Sequence, residues 1–291
     1  MILYEKVPSL LYECSISTSQ QNLLEQSRLI LKEHGFKDNV IAEIYEGNRW
    51  SLKIFSKNKR QFEFVKRIFN SFKFQELKIA IRLLEHDQWL TRWKTQWKPL
   101  SLTKKLNVVP FWYRDRYKRS KEVIFLDTVM SFGTGLHETT RLIAQLIEDN
   151  SAHLTPFLDI GTGTGILSLV ALKSGAQTVT AMDISALSIE VAQSNLKANN
   201  LKANIFLEDI NRLSSKQKYQ CVAANLITDD LLQCRRKISN LVKPGGLLLV
   251  SGISLDNLTK LKNGFKDLPL SCRKISKGTQ WAAILYVKKM L

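Results

Sequence analysis

Apolar and polar positions follow one rhythm in the front third of the chain and another from Thr139 onward. In the front third, Leu10–Ile16, Val40–Tyr45, Trp50–Phe55 and Leu77–Leu83 have the length and apolar content of strands. Gln20–Lys32 carries Leu23, Leu24, Ile30 and Leu31 at helical spacing, and Arg60–Phe72 is expected to place Phe64, Ile68 and Phe72 on one helical face. Glu46-Gly47-Asn48 reads as a hairpin turn between the second and third strands. The order β-α-β-β-α-β predicts a small α+β, ferredoxin-like domain over residues 1–85.

Residues 86–100 read as a helical linker. Trp89, Trp93 and Trp97 recur every fourth position there, so the three rings share one face, and Pro99 should end the helix. Packing is the preferred role for these indoles, although Arg92, Lys94 and Lys98 beside them keep base stacking open. Val108–Tyr113 and Val123–Leu126 are predicted strands joined by the basic loop Arg114–Lys121. From Thr139 the pattern alternates, with helices at Thr139–Asp149, Gly165–Ser174, Ala186–Asn199 and Asp229–Leu241. Strands fall at Pro156–Ile160, Thr178–Met182, Asn204–Glu208, Cys221–Ala224 and Gly246–Ser251. This repetition predicts an α/β domain over residues 101–291 with a mostly parallel, doubly wound sheet.

Composition changes that picture only in its charge. The net charge is +17, and residues 1–125 hold 24 Lys/Arg against 13 Asp/Glu, so the front of the chain carries +11 of it. Such a field attracts acidic partners, RNA foremost; a generally Lys-rich proteome accounts for it equally well. Four scattered cysteines (Cys14, Cys221, Cys234, Cys272) and four histidines suggest neither a disulfide framework nor a metal site, and no metal is expected. The sequence contains no signal peptide and no run of the length a membrane span needs, so a cytoplasmic protein without a membrane partner is expected.

The chemistry lies at the strand ends of the back domain. Asp159-Ile160-Gly161-Thr162-Gly163-Thr164-Gly165 follows an apolar strand and opens a helix, and its glycines let the backbone approach a ligand closely. Asp159 suits a ligand with a cationic amino acid end better than one with a pyrophosphate. Asp183 ends the next strand about 20 residues on, where an acid accepts hydrogen bonds from ribose hydroxyls. A helix cap is its plainer role, for which Ser185 competes. Glu208 closes the third strand and is either an adenine contact or part of a solvated turn. Asn225, after Val222-Ala223-Ala224, is expected to present an amide to the substrate rather than merely to form a turn.

Together these motifs resemble class I S-adenosylmethionine methyltransferases, which implies a Rossmann-like fold for the back domain. Leu126-Asp127-Thr-Val-Met130-Ser-Phe132-Gly133-Thr134-Gly135-Leu-His137-Glu138-Thr139-Thr140 resembles the signature loop of the PrmA-type family, which modifies the eleventh protein of the large ribosomal subunit. The resemblance extends over roughly residues 86–258, through the tryptophan stretch, Val109-Pro-x-Trp112, Ala224–Ile227 and Ser251-Gly252-Ile253. Thr128-Val129, Ser131 and Leu136 depart from the family's Pro-Gly, Ala and Thr. The resemblance implies S-adenosyl-L-methionine as cofactor, contacted at Thr140, Gly161, Asp183 and Asn225, with Asp159 and Gly163 of the same loop beside it. It also implies that residues 1–85 recognise the ribosomal protein and that the linker lets them move.

The implied reaction is methylation of lysine side chains, and of an N-terminal amine, of that ribosomal protein. Asn225 is expected to orient the amine and Phe132 to wall the methyl channel. His137 has the choice of general base or hydrogen-bonded structural residue, and the second is preferred. Two alternatives stand: an RNA or other-protein methyltransferase, and a non-catalytic ribosome-assembly factor that keeps the fold. Asn-Pro-Pro-Tyr, the mark of base-amino methylation, is replaced here by Asn225-Leu-Ile-Thr228. A monomer is expected.

Overall fold

The computed structural model describes residues 10–36, 41–46, 49–56, 59–72, 76–85, 97–117, 120–127, 137–214 and 216–290. They fall into two compact units, divided between Trp97 and Lys98.

The first unit contains β1 (Leu10–Thr18), α1 (Gln21–Glu33), β2 (Ile41–Glu46), β3 (Arg49–Ser56), α2 (Lys59–Ser71) and β4 (Lys78–Glu85). Its sheet has the order β2-β3-β1-β4, and every pairing is antiparallel. Glu46 pairs with Arg49, so two residues connect β2 to β3; Gly47 and Asn48 themselves lie outside the described residues. Cys14 and Ile16 of β1 and Leu52 and Ile54 of β3 alternate inward and meet Leu24 and Leu31 of α1. The buried face of α2 is Phe62, Val65, Ile68 and Phe69. This corrects the expected Phe64–Ile68–Phe72 face: Phe64 is 48% and Phe72 50% exposed. Phe72 falls beyond the last helical residue, and Phe64 sits on the flank of the stripe set by positions 62, 65 and 69.

Residues 86–96 of the expected linker lie outside the described residues; Trp97 is buried, and Leu100 already begins a strand. The second unit opens with a small sheet of β5 (Leu100–Ser101), β6 (Asn107–Pro110) and β7 (Val123–Leu126), with β7 at its edge. The predicted strand through Tyr113 stops at Pro110, and Phe111–Arg116 forms a 3₁₀ helix instead. Proline has no N–H with which to continue a ladder.

The central sheet alternates with helices: α3 (Glu138–Asp149), β8 (Phe157–Ile160), α4 (Ile166–Lys173), β9 (Val179–Asp183), α5 (Ala186–Ala198), β10 (Asn204–Leu207) and β11 (Tyr219–Asn225). It continues with α6 (Thr228–Leu241), β12 (Val242–Ser254), α7 (Leu258–Gly264), β13 (Leu270–Lys277) and β14 (Trp281–Lys288). The strand order is β10-β9-β8-β11-β12-β14-β13. The first five strands run parallel, and β14 and β13 close the edge antiparallel. Helices cover the inner part of a parallel sheet on both faces, so its inner strands are apolar runs; all four residues of β8 are buried, whereas the edge strand β10 is mostly exposed. Burying one such leucine or isoleucine stabilises the fold by about 1.5–3 kcal/mol.

The chain winds outward from β8 in both directions, to β9 and β10 on one side and to β11 and β12 on the other. A crevice opens where such a sheet reverses its winding, outside the carboxyl ends of β8 and β11. The hairpin β13–β14 lies beyond the elements that the sequence pattern predicts. Leu270–Lys277 interleaves Ser271, Arg273, Lys274 and Ser276 with its apolar residues, the polar look of a sheet-edge strand.

Candidate active site

The loop after β8 reaches across to β9, where the amides of Gly161 and Thr162 both donate to the Met182 carbonyl, at 2.9 and 3.0 Å. Gly161 has φ +69°, and a Cβ there would stand 2.7 Å from Leu226 Cδ2 of the loop after β11. The positive φ is what favours glycine here, since Leu226 could swing its side-chain end aside. Gly163 and Gly165 also have positive φ, so the turn closes within five residues and α4 begins at once.

Asp159 holds this loop from beneath. It is fully buried, and Oδ2 accepts from Thr162 Oγ1 at 2.7 Å, from Ser168 Oγ at 2.7 Å and from Ser168 N at 3.1 Å. Its other oxygen, Oδ1, is buried with no hydrogen-bond partner among the described residues. Burial pushes this carboxyl up to about 6, against the pull of the Ser168 and Thr162 hydrogen bonds and with a further push from the Asp183 carboxylate. Asp159 is thus first an anchor for the loop, with Oδ1 left as a buried acceptor. An orphaned buried acceptor beside a second acid fits a cationic ligand, as S-adenosyl-L-methionine is.

Asp183 stands at the end of β9, half-buried, with Oδ2 accepting from Gly163 N and Oδ1 from Ser185 N, both at 2.9 Å. Ser185 makes the cap of α5, accepting from Ser188 N at 3.3 Å, so Asp183 is not spent as a helix cap. The two backbone bonds fix its carboxylate, and each oxygen keeps a lone pair for a ribose hydroxyl. Glu208 follows β10, its amide donating to the Asp183 carbonyl at 3.0 Å and its Oε1 accepting from Asp209 N.

Asn225 ends β11, next to β8, and its Nδ2 donates to Thr140 Oγ1 at 3.4 Å. The fold thereby joins two residues 85 positions apart that the sequence analysis singled out separately. Thr140 is fully buried in the first turn of α3. Phe132 lies outside the described residues, as does all of 128–136.

His137 caps α3. Its Nδ1 accepts from Thr139 N at 3.3 Å and meets Thr139 Oγ1 at 2.7 Å, and its ring packs edge-on against Trp281. Burial lowers its pKa, Glu138 opposes that and Arg141 adds to it, which keeps Nδ1 unprotonated for the cap. This is the hydrogen-bonded structural role.

Four residues central to the site's construction were given no role by the sequence analysis. Glu138 grips the turn between β13 and β14: Oε1 accepts from Thr279 N at 2.7 Å and Thr279 Oγ1 at 3.0 Å, and Oε2 from Gln280 N and Trp281 N at 3.0 Å each. Gly278 makes room, since a Cβ there would lie 2.1 Å from Glu138 Cδ. Asn195, buried on α5, bonds the backbone of Asp127 just beyond β7, and Asn199, buried at the C-cap of α5, bonds the backbone of Phe125 in β7. The one signal available was two amides four residues apart on a helix face otherwise lined by Val191, Ala192 and Leu196. Ser251, also buried, ties β12 to α3 through the Thr139 carbonyl at 3.1 Å.

Among the described residues, no group of three or more His, Cys, Asp or Glu is placed to hold a metal, and no helix is long and apolar enough to cross a membrane. Cys14, Cys221, Cys234 and Cys272 are free thiols.

Residues 4–289 match the family model described as ribosomal protein L11 methyltransferase (PrmA). A protein of that name from Trichlorobacter lovleyi is 32% identical over 212 residues, covering 71% of this chain and 70% of the relative. Its counterpart from Caldicellulosiruptor saccharolyticus is 33% identical over 210 residues, 72% of this chain and 69% of the relative. A crystal structure of ribosomal protein L11 methylase from Lactobacillus delbrueckii subsp. bulgaricus superposes with a TM-score of 0.60 at 26% identity, covering 66% of this chain and 100% of that one.

Proposed function

The chain belongs to the ribosomal protein L11 methyltransferase (PrmA) family, and from that premise we propose that it methylates lysine side chains of ribosomal protein L11, with the N-terminal amine as a second acceptor. The methyl donor is S-adenosyl-L-methionine, which when bound supplies a methyl group on a cationic sulfur for in-line displacement.

The observation that carries this reading is the placement of Asp183 and Asn225 on either side of the glycine loop, at the ends of the two strands that flank β8. Asp183 would hold the ribose, and Gly161 and Gly163 offer backbone for close approach. Asp159 Oδ1 would take the cationic end, with Thr140 closing the site behind Asn225. Because Asn225 Nδ2 is engaged by Thr140, its Oδ1 is the acceptor left to orient a substrate amine. The amine must be neutral to attack. Desolvation in the cleft favours that form, and the proton leaves to water, since His137 spends Nδ1 on the helix cap. Positioning and exclusion of water supply most of the rate.

Residues 1–85, within the first unit, are read as the part that recognises the ribosomal protein. Its β-α-β-β-α-β order and antiparallel β2-β3-β1-β4 sheet support a ferredoxin-like domain, with a linker from residue 86 that ends before Leu100, where β5 begins. A ribosomal substrate implies work in the cytoplasm, with the net charge of +17 favouring approach to RNA-bound protein.

The test is incubation with labelled S-adenosyl-L-methionine and ribosomes lacking the modification, followed by separation of protein from RNA. Label in a single large-subunit protein is expected. Label in RNA alone overturns the substrate assignment.

A further inference from the structure

The end of β7 and the glycine loop are far apart in sequence, yet one buried side chain bonds to both. Asn195 is completely buried on α5. Its Oδ1 accepts from Asp127 N at 2.7 Å, and its Nδ2 donates to the carbonyls of Asp127 and Thr164, both at 2.9 Å. Asn199, one turn later, repeats half of this: Oδ1 accepts from Phe125 N at 2.8 Å, and Nδ2 donates to Phe125 O at 2.6 Å and to Asn195 O at 2.8 Å.

The match has a geometric cause. Phe125 and Asp127 are alternate residues, so their N–H and C=O groups face the same side of the edge strand β7. Two residues of strand advance about 6.6–6.8 Å, and four residues of helix about 6 Å. Side-chain amides at 195 and 199 therefore reproduce the donor and acceptor pairs that a neighbouring strand would give β7. This satisfies the edge, and beyond it Asn199 bonds only the Asn195 carbonyl one turn back. Asn195 also bonds the carbonyl of Thr164, the residue after Gly163, whose amide Asp183 holds. The helix lies close there, with Ala192 Cβ 3.1 Å from where a Cβ on Gly165 would be.

We propose that Asn195 is a positioning residue for S-adenosyl-L-methionine, fixing the glycine loop against the strand end from which residues 128–136 lead to His137. The inference rests on the cofactor assignment above. Ordering of the loop by the ligand and ordering of Asp127 are then coupled through one amide, and coupling of this kind is reciprocal.

Two kinds of measurement test it. Asn195→Ser removes both ties, whereas Asn199→Ser removes the Phe125 bonds and the bond to Asn195 O, leaves the Thr164 tie in place, and serves as a control of similar structural cost. By calorimetry Asn195→Ser should raise the cofactor Kd about tenfold, and Asn199→Ser less than about twofold, although both melt earlier than wild type. In steady state the KM for the cofactor should rise in Asn195→Ser while that for the protein substrate stays put. Equal shifts in the two variants, or no shift in either, overturn the proposal and leave a plain stability brace. Should either variant fail to fold, hydrogen exchange on the wild-type protein decides. The cofactor should slow exchange of the Asp127 amide more than that of Phe125, and equal slowing overturns the proposal. A wild-type protein that binds no cofactor sinks the underlying assignment; binding without these differences sinks only the role of Asn195.

Discussion

Glu138→Gln replaces one oxygen by an NH₂ group at the point where α3 holds the β13–β14 turn. In the wild type, two carboxylate oxygens accept four hydrogen bonds, two each. Glutamine keeps the Oε1 pair but sets a donor against the amides of Gln280 and Trp281. Two hydrogen bonds to a charged acceptor are lost, and with a discount for partial exposure the variant should be less stable by about 2–3 kcal/mol. For a unit of this size that is a fall in Tm of roughly 5–10 °C. Thermal denaturation followed by circular dichroism at neutral pH measures it.

The same variant has a pH signature. Burial raises the Glu138 carboxyl, but the hydrogen bonds from Gln280, Thr279 and Trp281 outweigh it and hold the group below its ordinary value. A depressed folded pKa contributes stability that is present above the unfolded value of about 4.3 and is lost as pH falls through the folded one. The gap in Tm between wild type and Glu138→Gln should therefore close in acid. Equal Tm values at pH 7, or a gap unchanged in acid, would show that the four bonds do not hold the hairpin.

Two other variants address the cofactor directly. Asp183→Asn keeps an acceptor for Ser185 or Gly163 but removes the charge; cofactor Kd by calorimetry should rise about 100-fold, and an unchanged Kd would remove Asp183 from the ribose site. Asp159 is protonated in part below about 6, because burial raises it. As an acid with a raised folded pKa, it costs the apo fold stability as pH rises from its unfolded value to about 6, and a cationic ligand favours the ionised form. Wild-type cofactor affinity should thus weaken about tenfold on going from neutral pH to pH 5, and Asp159→Asn should flatten that profile. An identical profile in the variant would leave Asp159 as a loop anchor alone.

Local pattern was enough for the parallel strands, because a strand covered on both faces must be apolar throughout, as at Phe157–Ile160 and Cys221–Ala224. It was enough for the glycine loop and for Asp183 as well, since a tight turn and a carboxylate at a strand end are each local in sequence. Helix α2 shows the limit of that reading, because its length and type were legible while its buried face was decided by where the helix ended against the sheet.

Tertiary structure alone decided which distant residues meet. The pairing of Asn225 with Thr140 depends on β11 lying beside β8 and on α3 returning to the same strand ends. Asn195 and Asn199 look in sequence like two polar residues on a helix, and their purpose appears only when the edge of β7 is laid against them. Glu138 looks like a helix-start acid, which by itself means no more than a favourable charge near a helix N-terminus. Its four partners come from a turn about 140 residues later. Side-chain identity is written locally, but a hydrogen-bond partner is chosen by the path of the chain, and that path is set by the burial of every element at once.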